Sequence, residues 1–225
     1  LVIPSSNVHT CADEIANVQK WADDNNLLLN VTKSVEIVFM PPRGRRDVDI
    51  PPPAVPGIAR VESIKALGVT ISRNFSVSQH VDDLLTASAR TLFALRTLKQ
   101  HGLPSCALQE VFQATVISRL SYAMPAWWGF TSAADRDRLD AFLRRSIRFG
   151  YRDASAMSIT AISERADDRL FSSVTSNSGH LLYPLLPPKR RHQYSLRQRL
   201  HQYQIPIRIT ALSDNNFITR MLFKA

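Results

Sequence analysis

The feature that most constrains the fold is a change of hydrophobic pattern at Ser76. Before it, the apolar runs are short and rich in β-branched residues, and prolines interrupt them, as Pro41 and Pro42 do. After it, apolar residues recur with helical spacing over long stretches. Short β-branched runs bounded by proline are typical of strands, whereas the longer period is typical of helices. The sequence therefore predicts an α+β fold in which a few strands precede a helical bundle.

Before Ser76, the sequence predicts one helix among short antiparallel strands. Thr10 followed by Asp13 resembles a capping box that opens the helix, and Asn25-Asn26 marks its end. The run Leu1–Ile3, ended by Pro4, predicts the tail of a buried strand. Further strands are predicted over residues 35–40, 59–62 and 64–71, and a loop rich in proline and arginine over residues 41–57.

After Ser76, four helices are predicted, followed by a tail. The first ends at His101-Gly102, where glycine supplies a C-cap, and the second starts at Pro104 and runs to about residue 122. Thr131 or Ser132 caps the third, and the fourth covers residues 158–174. The chain then becomes proline-rich and basic, so the tail is predicted to be extended and partly disordered.

Charge narrows the classes of partner. The chain has 28 Lys and Arg against 19 Asp and Glu, a net charge of +9. A chain this basic most often binds a polyanion, of which nucleic acid is the commonest, although a solvated basic surface would give the same count. Cys11 and Cys106 lack metal-ligand spacing and fit a reduced, intracellular compartment. No apolar run has the length of a membrane span, so no membrane partner is expected.

Several sequence blocks follow one another along nearly the whole chain. The first is WADDNNLLLN over residues 21–30 with the Lys33–Glu36 stretch, followed by VESIKALGVTI over 61–71 and SRLSYAMPAWWG over 118–129. Later blocks lie at residues 141–145, 168–171, 180–187, 194–201 and 216–223. In this collinear order, the blocks resemble the reverse transcriptase of non-LTR (LINE-type) retrotransposons of the jockey and chicken-repeat kind.

The resemblance implies a division of the chain and its partners. Residues 1–74 would be the C-terminal part of an incomplete palm with a primer-grip hairpin, 75–176 the helical thumb, and 177–225 the tail. RNA template and DNA primer would be the partners, in the nucleus or cytoplasm. The aspartates that bind Mg²⁺ in the intact polymerase would precede Leu1, together with the rest of the polymerase and any endonuclease region. This chain alone would then bind no metal or cofactor and make no DNA.

One pair of carboxylates imitates the missing catalytic box. Trp21-Ala22-Asp23-Asp24 has the spacing of the box that holds two metal ions, whose chemistry requires paired carboxylates on a hairpin and a third from an earlier strand. Here the pair falls at the end of a predicted helix, and upstream carboxylates lie only on that helix. Asp23 and Asp24 are therefore interpreted as a solvated helix end.

The resemblance assigns roles to two sites in the first part. Lys33 would lie near the incoming nucleotide as a general acid for the pyrophosphate, while the alternative is an exposed loop lysine. Leu67 and Gly68 would hold the primer 3′ end by backbone contact, and the alternative is an ordinary hairpin turn.

The third predicted helix carries a row of arginines that is identified by residue spacing alone, without the resemblance. Arg144, Arg148 and, if the helix persists, Arg152 follow one-turn spacing, with Arg145 alongside. Such a row suits the phosphates of a template–primer duplex, although a solvated amphipathic face is the usual alternative. Arg43, Arg45 and Arg46 in the loop are predicted to make a nonspecific phosphate contact at most. Trp127 and Trp128 could stack on bases but are predicted to pack between helices.

Two other functions remain open at this point. One is a basic helical nucleic-acid-binding module without polymerase activity. The other is a degenerate transposon remnant whose incomplete palm would expose a strand edge that aggregates.

Overall fold

The computed structural model describes residues 1–40, 51–189, 201–208 and 210–224, and the chain forms two units. The first unit is Leu1–Phe75 and the second is Ser76–Ala225. The fold is α+β and mostly helical, with a few short strands in two small sheets, which confirms the fold class at that level. No helix of the described residues is both long enough and apolar enough to cross a bilayer.

The first unit contains little regular structure among its described residues. Its helix α1 is Cys11–Asp24, flanked by 3-10 turns at Ser5–Thr10 and Val31–Lys33. Leu1–Ile3 is not a strand, and the predicted strand over residues 35–40 pairs only at its first two residues. The strands are β1 (Val35–Glu36), β2 (Ala59–Arg60), β3 (Ser63–Ala66) and β4 (Val69–Ser72).

The pairing of these strands corrects one prediction. β3 and β4 form an antiparallel hairpin, but β1 and β2 are parallel, so the prediction of antiparallel strands is wrong for that pair. Parallel strands need a long connection, and residues 37–58 supply one. The Glu36 carboxylate fixes the pair, since it accepts hydrogen bonds from the Val55 amide at 2.9 Å and from Arg60 Nε at 2.6 Å.

From Ser76 to Ser176, the second unit contains helices in each of the four regions where the sequence predicts them, and one short helix, Met124–Trp127, that it does not predict. Ser132 and Ser158 cap two of these helices by accepting from the amide three residues on, and Gly102 ends another with a φ of 88°. The helices are α2 (Ser78–Gln100), α3 (Ser105–Phe112), α4 (Ser118–Ser121), α5 (Met124–Trp127), α6 (Ala133–Arg148) and α7 (Ile159–Ser176), with a π-helical turn at Gln113–Ile117 joining α3 to α4.

The core of the second unit surrounds the tryptophan pair. Trp127 is fully buried and Trp128 is 5% exposed, which confirms their predicted packing role. The Trp127 Nε1 donates to the Tyr122 carbonyl at 3.0 Å, and the buried His80 ring meets its indole edge-on at 5.2 Å between centroids. Most of the residues predicted on the apolar faces of the helices are buried with it, among them Leu108, Phe112, Leu139, Phe142 and Leu143, whereas Val111 and Thr115 are exposed.

The C-terminal residues correct the prediction of an extended tail. Two short helices, α8 (Ala211–Asn215) and α9 (Phe217–Phe223), are present, and Met221 and Leu222 pack in a buried cluster with Phe171 and Tyr203. The apolar residues of α9 recur with helical spacing, and this amphipathic pattern outweighs the basic, proline-rich composition before it.

A buried ion pair and a glycine hold α9 in place. The Arg220 guanidinium donates two hydrogen bonds to the Asp167 carboxylate on α7, at 2.6 and 3.3 Å, and a third to the Pro125 carbonyl at 3.2 Å. A Cβ at Gly129 would lie 1.9 Å from the Asn215 carbonyl and 2.7 Å from Arg220 Nε. Only glycine at residue 129 therefore allows Asn215 and Arg220 to lie this close to the backbone.

Candidate nucleic-acid interface

The helix α6 begins with a network that fixes its first turn. Ser132 accepts from the Asp135 amide at 3.1 Å, and its own hydroxyl and amide donate to the Asp135 carboxylate at 2.7 and 3.2 Å. The Ser78 hydroxyl of α2 donates to the same carboxylate at 2.8 Å. Burial alone would raise the pKa of Asp135, but these hydrogen bonds, together with Arg138, lower it below its usual range. The carboxylate is thus held ionised inside the unit.

Arginines in the first half of α6 serve the protein's own structure. Arg136 donates from Nε to the Thr131 hydroxyl at 2.8 Å, and its guanidinium lies over the Trp128 ring at 5.0 Å. Arg138 forms salt bridges to Asp82 and to Asp135. These two cations are therefore already neutralised or packed.

Arginines at the end of α6 differ in that they are free. Arg144, Arg145 and Arg148 are exposed, and their guanidinium groups form no salt bridge or hydrogen bond with another residue that the structure describes. Arg145 and Arg148 lie in the last turn, where they also offset the negative end of the helix dipole, an effect of about 0.3 to 1 kcal/mol. The interaction with the helix dipole does not require these side chains to share one exposed face. It therefore leaves their guanidinium groups available to an external anion.

Arg152 does not extend this row. The helix ends at Arg148, and Gly150 turns the chain with a φ of 80°. Arg152 is only 9% exposed, and its guanidinium donates to the Met157 carbonyl. Burial lowers the pKa of Arg152, while Asp140 partly opposes this. The prediction that it continues the exposed row is wrong because the helix stops first.

Lys33 lies in the first unit, at the end of a 3-10 turn. Its backbone amide donates to the Asn30 side chain at 3.1 Å, which fixes the turn. Its side chain is exposed and forms no salt bridge with a described carboxylate. The ammonium group is therefore accessible to solvent, as both interpretations of this lysine require.

The hairpin between β3 and β4 turns tightly at Leu67 and Gly68. Both have positive φ, 48° and 86°, and Ala66 pairs directly with Val69. A two-residue turn of this kind matches the twist of the strands, but a leucine in the left-handed region is strained by about 1 to 2 kcal/mol. Leu67 is 92% exposed at the tip. The turn therefore projects its backbone and one apolar side chain from the sheet.

The remaining predicted sites divide as follows. Arg43, Arg45 and Arg46 lie outside the described residues. Asp23 and Asp24 end α1 and are exposed, which confirms their place at a helix end. No group of three or more His, Cys, Asp or Glu within the described ranges is placed to hold a metal ion.

Two structural contacts of the second unit could not be predicted from the sequence. The contact of Ser78 with Asp135 joins residues far apart in the chain, and so does the pair of Asp167 with Arg220. Burial raises the pKa of Asp167, against the lowering by Arg220 and Lys224. A capping motif at Asn216, whose side chain accepts from the Thr219 amide at 2.9 Å, is a local signal that could have located α9.

Comparison of the chain with family models, with curated proteins and with solved structures finds no match.

Proposed function

We propose that this chain is the C-terminal part of the reverse transcriptase of a non-LTR retrotransposon, and that it binds template and primer. The ordered sequence blocks over nearly the whole chain support the family. The observation that carries the binding function is the row of Arg144, Arg145 and Arg148, which is exposed and uncompensated on a well-packed helix. Phosphate groups dominate the affinity of proteins for nucleic acid, and arginine pairs with them in a planar, two-pronged geometry.

The first unit would supply the polymerase's grip on the primer. In this proposal, the backbone at Leu67 and Gly68 holds the primer 3′ end, and Lys33 donates a proton to the pyrophosphate or offsets its charge. The Mg²⁺ ions would be bound by aspartates of the intact polymerase outside this chain. The exposed apolar side chains of the first unit, such as Trp21 and Leu28, are also what a part of a larger palm would present.

A second candidate function is a helical nucleic-acid-binding module without polymerase chemistry. It is favoured by one observation, that within the described residues the arginines without a partner and nearly all buried side chains belong to the second unit. A degenerate remnant, the third candidate, predicts instead that the chain does not fold cooperatively.

Nucleic-acid binding is tested with purified chain and a labelled RNA–DNA duplex. Replacing Arg144, Arg145 and Arg148 with Ala should weaken binding at least tenfold. The matched control replaces Arg165 and Arg169 of α7, which are also exposed, one turn apart and without a described partner. Equal loss in both variants would contradict a defined interface on α6.

Primer extension separates the polymerase from the binding module. The chain alone with Mg²⁺, template and primer should yield no product, and robust synthesis would contradict the proposal. Addition of the chain to a related polymerase part that carries the aspartate box should restore extension if the first unit is a palm component. A Lys33→Ala chain should then support less of it.

A further inference from the structure

The helices α2 and α6 run side by side in the same direction. Near their N-termini, Ser78 donates to Asp135 at 2.8 Å, and Asp82 pairs with Arg138. At their C-terminal ends, Lys99 Nζ donates to the Phe149 carbonyl at 2.9 Å. Contacts at both ends fix the two helices as a parallel pair.

Helical periodicity places exposed residues of both helices along the same seam. Arg145 follows Arg138 by about two turns, and Phe93 follows Asp82 by about three turns, so each lies on the flank that carries the salt bridge. Phe93 on α2 and Arg145 on α6 therefore lie between the two contacts that join the helices. Arg148, three residues after Arg145, faces further outward at the same end of α6.

Among the described residues of the second unit, Phe93 is the most exposed aromatic side chain, with 74% of its surface accessible. Arg90 and Arg96 lie about one turn before and after it, both exposed and without a partner among the described residues. After Asp83, α2 contains no acidic residue. A flat apolar ring thus stands among cations that no carboxylate of its helix compensates.

We propose that this α2–α6 surface, formed by Arg90, Phe93, Arg96, Arg145 and Arg148, binds a single strand of nucleic acid and stacks an unpaired base on Phe93. The proposal rests on the proposed function, because Arg145 and Arg148 belong to both. An aromatic ring among guanidinium groups suits a nucleotide strand, in which phosphates alternate with flat bases. Inside a duplex both faces of each base are covered by its neighbours and only the two end faces are open, so this ring favours the unpaired bases of a single strand.

The test measures binding of labelled oligothymidine, oligouridine and a blunt duplex by the whole chain. Phe93→Ala should weaken binding of both single strands by about 5- to 150-fold, the range for loss of one base stack, and leave duplex binding unchanged. Phe93→Trp should retain the affinity, whereas Phe93→Leu, which is apolar without a ring, should lose it as Ala does. Leu181→Ala, at a leucine that is 92% exposed elsewhere, is the matched control and should bind as wild type.

Each outcome decides between the two proposals. Unchanged single-strand binding by Phe93→Ala, or full affinity in Phe93→Leu, would overturn base stacking while phosphate binding by the arginines stands. Equal losses on duplex and single strand would overturn the preference for an unpaired base. If polyglutamate displaced oligothymidine with the same dependence on Phe93, the surface would be a site for acidic peptide instead. Absence of any nucleic-acid binding by the wild-type chain would contradict the proposed function itself.

Discussion

The two units of this chain differ sharply in how much they bury. Among the described residues of the first unit, only Ala22, Val69 and Thr70 are buried, while Trp21 and Leu28 are 60% and 93% exposed. The second unit buries many apolar side chains around Trp127 and a further cluster that includes Phe171 and Met221, while Arg144, Arg145 and Arg148 are exposed on its surface. Apolar burial is the main favourable term in folding, so the stability of the chain resides in the second unit.

This difference also bears on function. A binding surface needs side chains held by a rigid scaffold, and α6 provides one because both its ends are fixed. The elements of the first unit that resemble a primer grip have no comparable core of their own. A polymerase part that relies on other segments for its packing would show this asymmetry.

The largest expected effect is on stability, and it comes from replacing one tryptophan in each unit with alanine. Trp127→Ala should lower the free energy of unfolding by about 3 to 5 kcal/mol, because it removes a fully buried indole. Trp21→Ala, at a tryptophan that is 60% exposed, should change it by about 0.5 kcal/mol or less. Urea unfolding of both variants measures the difference. Equal losses would mean that the first unit has a core as well.

The next effect concerns adjacent carboxylates of α7. Asp167→Ala should destabilise the chain by about 2 to 4 kcal/mol, somewhat below the range for wholly buried pairs, because it leaves Arg220 without its counter-ion. Asp168→Ala removes only the exposed pair with Lys224 and should cost about 1 kcal/mol at most. Thermal melts at neutral pH compare the two. A smaller loss for Asp167→Ala than for Asp168→Ala would refute the docking of α9 through this pair.

A third prediction uses the pH dependence of stability to distinguish the two buried carboxylates, Asp135 and Asp167. The lowered pKa of Asp135 means that its contribution to folding is present above its ordinary value of 3.8 and is lost as pH falls below it. Burial raises the pKa of Asp167, which has the opposite sign: the advantage of the protonated carboxyl in the folded chain is present below 3.8 and is lost as pH rises through the raised pKa. The hydrogen-bonded pair with Arg220 is separate from this protonation effect, and it is the pair that Asp167→Ala removes at neutral pH.

Variants isolate these contributions. The difference in unfolding free energy between wild type and Asp135→Asn should therefore decrease toward acid pH. The corresponding difference for Asp167→Asn should increase toward acid pH. Chemical unfolding across a series of acid buffers provides the measurement. Parallel curves for the two variants would contradict the assignment of opposite pKa directions.

The sequence predicts α1, α2, α3, α6 and α7 because their signals are local, whereas it does not predict α8 and α9. Three features are explained by neighbours within a few residues: Ser132 caps α6, Gly102 ends α2, and the pair Trp127-Trp128 is buried. The parallel pairing of β1 with β2 depends on residues far apart, and strands of two residues carry too little pattern to reveal it.

The candidate site shows the same limit. One-turn spacing predicted the arginine row, but it could not show that Arg136 and Arg138 are engaged internally, since Thr131 and Asp82 reach them only in the folded unit. Extension of the row to Arg152 ignored Gly150, whose left-handed conformation ends the helix. Phe93 lies in a helix that the sequence predicts, and its apolar side chain alone does not distinguish it from a core residue. Only its exposure in the folded unit does so.

The central claim, that the free end of α6 binds nucleic-acid phosphates, is tested most directly by the salt dependence of binding. The slope of log affinity against log salt for a DNA duplex should decrease in magnitude by up to about 3 when Arg144, Arg145 and Arg148 become Ala, since each phosphate that the variant no longer neutralises lowers it by about 0.9. The Arg165 and Arg169 control should keep the wild-type slope. An unchanged slope in the α6 variant, with its fold intact by thermal melt, would contradict the account.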